Sequence, residues 1–258
     1  MSSSNRRERE LARRKRERQL AKAAGKPARN QNALIYVVVA VVVAVVGWSM
    51  ISSASAPDAS PTTSSPAPSI TPCAQAAPTP VASPVQFDSP GNKAISGQYL
   101  WTLKTNCGDI VVALNGDKAP ATVRSFKFLS DKHWLDNVLC HRLTTTGLFV
   151  LQCGDPTATG SGGPGYTIPD ENLPKSEANN YPAGTVAMAN AGAGTGGSQF
   201  FIVFADTTLD GNYTIFGTVR DGLDVVQRIA ADGVADGSGD GAPANPIGIL
   251  SSTVVKDK

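Results

Sequence analysis

Residues 33–51, ALIYVVVAVVVAVVGWSMI, carry no charged side chain, and this run constrains the chain more than any other. Its nineteen residues, at about 1.5 Å each, make a helix of about 28 Å, close to the thickness of the hydrocarbon layer of a bilayer. It is apolar on every side and flanked by polar sequence, the pattern of a membrane span and not of an amphipathic core helix. Residues 1–30 hold 11 of the 23 Lys and Arg residues but only 3 of the 21 acidic ones, a net charge of +8, against −6 for the remainder. A basic flank stays on the cytoplasmic side, so everything after residue 52 is expected outside. Ala54–Ser55–Ala56 has the small-x-small form of a signal cleavage site. The apolar run is nevertheless longer than a signal core of about 7–15 residues, and Pro57 follows the site directly. The expectation is an uncleaved anchor, with residues 1–32 as a basic cytoplasmic tail and 33–52 as the span.

Between Pro57 and Pro90 there are nine prolines in 34 residues, mixed with Ser, Thr and Ala. Such a segment cannot bury a core, and its prolines stiffen it into an extended spacer. Residues 53–97 therefore read as a disordered linker, whose Pro57–Pro90 stretch alone reaches up to about 100 Å at about 3.1 Å per residue.

From residue 98 to 258 the composition becomes globular. Apolar runs of strand length alternate with turn chemistry, which predicts strands near 99–105, 109–114, 138–143, 148–153, 184–189, 199–204, 213–219 and 247–255. Asn106–Cys107–Gly108–Asp109 reads as the turn joining the first two. Two helices are expected. One spans 120–132, with Val123, Phe126 and Leu129 on one face. The other spans 221–232, opened by Asp221, stopped by Gly233, with Val225, Val226 and Ile229 inward. Eight short strands predict an all-β fold, a closed eight-stranded antiparallel barrel capped by the two helices. Residues 154–182 form a long Gly- and Pro-rich loop of the kind that is usually functional.

Several chemistries are excluded. GSGGPG at 160–165 lacks the Lys-Ser/Thr and the helix of a phosphate loop. There is no G-x-S-x-G, and the two histidines, His133 and His141, do not form a zinc motif. Asp236, Ser238, Asp240 and Gly241 match the first half of a calcium loop, but its twelfth position is Ile247, so 236–241 reads as a solvated turn. No metal and no cofactor is expected.

One loop stands out. TTLDGN, 207–212, joins the greasy runs QFFIVF and YTIFGTV yet carries Leu209, as though to line a pocket. Three segments together, CHRLTTTGLFVLQCGD (140–155), AMANAGAGTGGSQFFI (187–202) and LDGNYTIFG (209–217), resemble the cyclophilin family of peptidyl-prolyl cis-trans isomerases. The resemblance covers roughly residues 98–255. It implies isomerisation of X–Pro bonds in exported polypeptides, assisting their folding, by a monomer that binds no nucleic acid. Arg142 matches the family's catalytic arginine. Phe149, Phe201 and Leu209 match the walls of the proline pocket, and Gln152 matches the glutamine that orients the arginine and contacts substrate backbone. Asn190, with Ala189 and Ala191, matches the extended segment that hydrogen-bonds the peptide, while Gly160 and Gln199 match further groove positions.

There are departures from the family's pattern. Six residues separate Arg142 from Phe149 where four are common. Thr208 stands where many members have a tryptophan, which puts cyclosporin binding in doubt, and Tyr213 stands where a histidine is frequent. A module that binds proline-containing peptides without catalysis, or a scaffold with the barrel as spacer, are the competing readings; retention of Arg142 favours the enzyme. Cys73, Cys107, Cys140 and Cys153 all fall in the exported part, and four cysteines allow three pairings. Cys140–Cys153 and Cys73–Cys107 are expected. If Arg142 and Gln152 share the groove face, strict alternation turns Cys153 away from Cys140, a conflict that only a bulge removes.

Overall fold

Along the first strand, β1 (Gln98–Thr105), Tyr99, Trp101, Leu103 and Thr105 are buried and their neighbours are not. The same period of two buries Ile110, Val112 and Leu114 in β2 (Gly108–Asn115). This is the signature of strands with one face on a core. In the computed structural model, which describes residues 72–93 and 95–258, the two strands pair antiparallel through a turn at Asn106–Cys107. The described residues belong to one compact unit, Ser65–Lys258.

The remaining strands are β3 (Val138–Leu139), β4 (Arg142–Thr144), β5 (Val150–Cys153), β6 (Thr185–Met188), β7 (Phe200–Val203), β8 (Ile215–Asp221), β9 (Asp240–Gly241) and β10 (Gly248–Lys256). They form one antiparallel sheet in the order β3-β10-β1-β2-β8-β6-β7-β5-β4-β9. The expected closed barrel of eight strands is thus corrected to a half-barrel of ten. The segment expected as one strand over 138–143 breaks at Cys140–His141. Its first half pairs with β10 and its second with β5, so the two flanks of the sheet meet through a chain bend and not a continuous ladder. The added strand, β9, comes from the turn expected to be solvated and pairs with β4.

Two helices pack on the sheet: α1 (Pro120–Asp131), burying Val123, Phe126 and Leu129, and α2 (Leu223–Asp232), burying Val226 and Ile229. Helix α1 has no side-chain cap of its own. Glu171, from the long loop, accepts the Ala121 and Thr122 N–H groups at 3.0 and 2.9 Å, placing a carboxylate on the positive end of the helix. Helix α2 does not start at Asp221. That residue ends β8, and Gly222, at φ 82°, makes the turn into the helix. Val225, expected inward, is only half-buried and packs over Gly108. The core centres on Trp101, whose ring lies 4.9 Å from Phe126 and 4.8 Å from Phe200.

Among the described residues no helix is long and apolar enough to cross a membrane; the expected span at 33–52 and the tail at 1–32 lie outside them. Residues 72–93, within the expected linker, contain no helix or strand, yet they lie as a strap against the long loop, α1 and β10. Cys73 is disulfide-bonded to Cys107. Val81 N–H donates to Pro156 O, and Phe87 N–H to Pro164 O, both at 2.8 Å.

The second disulfide joins Cys140 to Cys153. The conflict over strand faces resolves at the β3/β4 break. Cys153 is buried on the face opposite Gln152, and the bend at Cys140–His141 interrupts alternation so that Cys140 turns into the same core.

Candidate active site

Arg142 opens β4 and stands directly opposite Gln152 of β5, which in turn stands opposite Phe201 of β7. Ten residues of sequence collapse to one rung because residues 145–149 form the hairpin loop. Arg142 Nη1 donates to Gln152 Oε1 at 3.4 Å; Gln152 Nε2 donates to Gln199 Oε1 at 2.9 Å; Gln199 Nε2 donates to Gly162 O at 3.0 Å. A single polar chain therefore runs from the guanidinium to the long loop.

The opposite edge of the guanidinium is held by a residue the sequence did not point to. Asp240 accepts from Arg142 Nε at 2.7 Å and from Nη2 at 2.8 Å, a two-point fork. Its hydrogen bond raises the Arg142 pKa above the ordinary value, and the same bond holds the Asp240 carboxyl below the usual carboxylate range. The turn 236–241 is solvated, but Asp240 faces the site. No local signal marks it, since 98 residues separate the pair.

Behind this polar chain lies a small apolar cluster, separate from the main core: Val150, Tyr181, Ala187, Phe201 and Val203, with Ala189, Leu209 and Tyr213 half-buried against it. The Phe201 and Tyr213 rings meet edge to face at 5.6 Å. Leu209 and Tyr213 keep their places because two consecutive residues clamp their backbone. Asn180 Nδ2 donates to Leu209 O at 2.8 Å, and Asn180 Oδ1 accepts from Leu209 N–H at 3.0 Å. The Tyr181 hydroxyl donates to Tyr213 O at 3.0 Å and accepts from Tyr213 N–H at 3.1 Å. Val150, Asn180 and Tyr181 were not expected here. The apolar β-strand pattern around Val150 was the available clue; Asn180–Tyr181 sits in loop sequence and offered none. Phe149 is half-buried at the edge, its ring 5.9 Å from Phe204 and its N–H on Thr207 Oγ1, and it does not join the cluster.

A groove of about 570 Å³ runs away from Gln152. Gly160, Ala189, Asn190, Ala191 and Gln199 line it, as the resemblance implies, together with Gln86 of the strap. Asn190 Nδ2 donates to Asn212 O at 2.8 Å, which ties this wall to the loop carrying Leu209. The other wall is the start of the long loop, wound around buried Asp155. Burial works to raise the Asp155 pKa; hydrogen bonds from the Thr157 side chain and from the Gly162, Thr157 and Gly160 backbone outweigh it and leave the carboxylate charged. His141 lies beneath Gly160, both ring nitrogens buried and without hydrogen-bond partners among the described residues, and burial lowers its pKa.

Residues 100–254 match the family model described as cyclophilin type peptidyl-prolyl cis-trans isomerase/CLD. The chain is 45% identical over 161 residues to the "Probable peptidyl-prolyl cis-trans isomerase B" of Mycobacterium leprae, covering 58% of this chain and 55% of that one. It is 37% identical over 155 residues to "Peptidyl-prolyl cis-trans isomerase-like 1" of Aspergillus oryzae, covering 59% of this chain and 93% of that one. The chain thus spans about half the length of the mycobacterial relative it matches. The crystal structure of a Cryptosporidium parvum cyclophilin type isomerase superposes with a TM-score of 0.54 at 28% identity, over 63% of this chain and 100% of that one. A second crystal structure of that isomerase, in the presence of the dipeptide Ala-Pro, gives 0.53 at 29% identity, over 61% and 99%.

Proposed function

The chain belongs to the cyclophilin type peptidyl-prolyl cis-trans isomerase family, and from that premise we infer that its domain catalyses rotation about X–Pro bonds in polypeptides. The barrier to be lowered is about 18–20 kcal/mol and arises from the partial double bond between carbonyl carbon and nitrogen. The two X–Pro isomers differ by only about 0.5–1 kcal/mol, so the catalyst must lower the barrier and need not drive the reaction. In the twisted state the nitrogen lone pair is freed from conjugation and accepts a hydrogen bond; in the planar states it does not. A guanidinium fixed beside that nitrogen therefore favours the transition state specifically, by about 3 kcal/mol or about 10²-fold for a preorganised donor.

The observation that carries this reading is the placement of Arg142. Asp240 grips one edge of its guanidinium, and Nη1 is turned towards Gln152 beside the Phe201–Leu209–Tyr213 cluster, where a proline ring would sit. Phe149 forms the outer lip of that pocket. Gln152 and Asn190 hold the peptide backbone, Asp240 positions the arginine, and neither metal nor cofactor takes part. The Ala-Pro dipeptide named with the Cryptosporidium isomerase supports a proline-containing ligand.

The test is NMR exchange between cis and trans forms of a short X–Pro peptide, with full-length protein. Arg142→Ala should lose about 10²-fold in kcat while the fold is kept, because a groove-face truncation opens no core cavity. A folded variant as active as the parent overturns the assignment, and a parent without activity returns the domain to peptide binding alone.

The wider setting belongs to the same proposal. The uncharged run 33–51 beside a +8 head supports a single span in the cytoplasmic membrane, with the amino terminus inside and the isomerase outside. The clients are then exported polypeptides whose folding awaits proline isomerisation, served by a monomeric tethered enzyme.

A further inference from the structure

The strap is not a passive spacer where it crosses the groove. Gln86 is exposed and lines the groove; its Nε2 donates to Gly163 O at 3.0 Å, which leaves Oε1 without a hydrogen-bond partner among the described residues. The neighbouring strap residues are anchored firmly. Trp134 Nε1 donates to Val85 O at 2.7 Å, and the Phe87 ring meets Phe128 of α1 edge-on at 5.1 Å. Two glycines record how closely the strap is seated. A methyl group on Gly165, at φ 95°, would lie 2.8 Å from Phe87 O and 3.0 Å from Gln86 Oε1. One on Gly248 of β10 would collide with the Pro78 ring. With Cys73 bonded to Cys107, the strap is pinned to the domain at its start, middle and end.

We propose that the strap contributes Gln86 to the substrate groove, and that Gln86 selects for an uncharged hydrogen-bond donor, such as Ser, Thr, Asn or Gln, on a residue flanking the X–Pro dipeptide. The groove chemistry fits that class. Its lining contains no charged side chain, and its polar side chains include Gln86, Asn190, Thr195 and Gln199. Gln152 lies both in the groove and opposite Phe201 of the proline cluster, so a peptide with its proline on Phe201 runs directly into the groove. A flanking donor then meets Gln86 Oε1, whose amide is already oriented by its bond to Gly163. The selectivity of the domain is in this way supplied partly by the segment that leads to the membrane. The inference rests on the isomerase reading, and its test separates the two.

Full-length parent and Gln86→Leu are compared on proline peptides in which one flanking position is varied among Ala, Leu, Ser and Gln. Gln86→Leu keeps the bulk of the side chain and removes the amide. The preference for Ser or Gln over Leu, as a ratio of kcat/KM, should fall about fivefold, the worth of one neutral hydrogen bond, and the loss should appear in KM. Phe87→Ala, which loosens the strap without touching the groove chemistry, should reduce the same ratio. An unchanged ratio in Gln86→Leu, with the melting temperature kept, overturns the inference and leaves the isomerase reading standing. If the parent shows no isomerase activity, that reading falls instead, and the same peptide series measured by titration calorimetry decides the role of Gln86.

Discussion

Asp240→Asn is the perturbation that asks most of the site. The carboxylate accepts from two donors of Arg142 at 2.7 and 2.8 Å. An asparagine keeps one acceptor and turns an N–H₂ towards a group that only donates. What remains on the guanidinium is one hydrogen bond to the amide oxygen and the 3.4 Å contact to Gln152, in place of the two-point fork. A free arginine side chain carries about 2 kcal/mol of rotamer entropy; if roughly half of this is released, kcat/KM falls about fivefold to tenfold. Stability should change little. The two side chains are 40% and 55% exposed, so the pair is screened by water and contributes below about 1 kcal/mol. For a domain of this size that is at most about 4 °C in Tm. The assay is the NMR exchange measurement alongside thermal melting and a pH profile. Arg142 holds the Asp240 carboxyl below its ordinary range, so the parent should keep its activity through the usual carboxylate range as pH falls. The decline should come only below it, when protonation removes the acceptor, and Asp240→Asn should lack that limb. A variant with unchanged or higher kcat/KM would refute the reasoning, since Asp240 would then be restraining Arg142 and not presenting it.

Two further outcomes follow from buried charge and from membrane topology. His141 is neutral in the fold, its pKa lowered first by burial, so the unfolded chain binds a proton that the folded chain refuses. Stability present above pH about 6.5 should be lost as pH falls through and below that value, and His141→Leu should flatten the slope between melts at pH 7.5 and 5.5. Protease added to intact cells should remove residues 98–258, whereas protection until lysis would count against an external domain.

Much of the domain was legible locally. Alternation at Tyr99, Trp101 and Leu103, and the run Ile110, Val112, Leu114, place side chains on one face of a strand whatever the strand pairs with, because the period of two is a property of the backbone. The spacing of Arg142, Gln152, Phe201 and Leu209 could be matched to a family, although only Arg142 and Gln152 meet across a short hairpin and Phe201 joins them by strand pairing from beyond the long loop. The proposed anchor, too, is read from composition alone, from nineteen consecutive uncharged residues. Three things awaited the tertiary structure. The break at Cys140–His141 depends on two partners, β10 and β5, that pull one segment to opposite flanks of the sheet, and it brought Cys140 onto Cys153. Asn180 and Tyr181 act from a loop and Asp240 from the two-residue strand β9, segments with no period from which a direction could be read. The strap reads as linker because proline-rich sequence cannot build a core of its own; it can still be ordered by a surface already folded, through the disulfide at Cys73, the bond from Trp134 and the Phe87–Phe128 contact. Composition reports what a segment can do alone, and what it does against a neighbour is a property of the neighbour's shape.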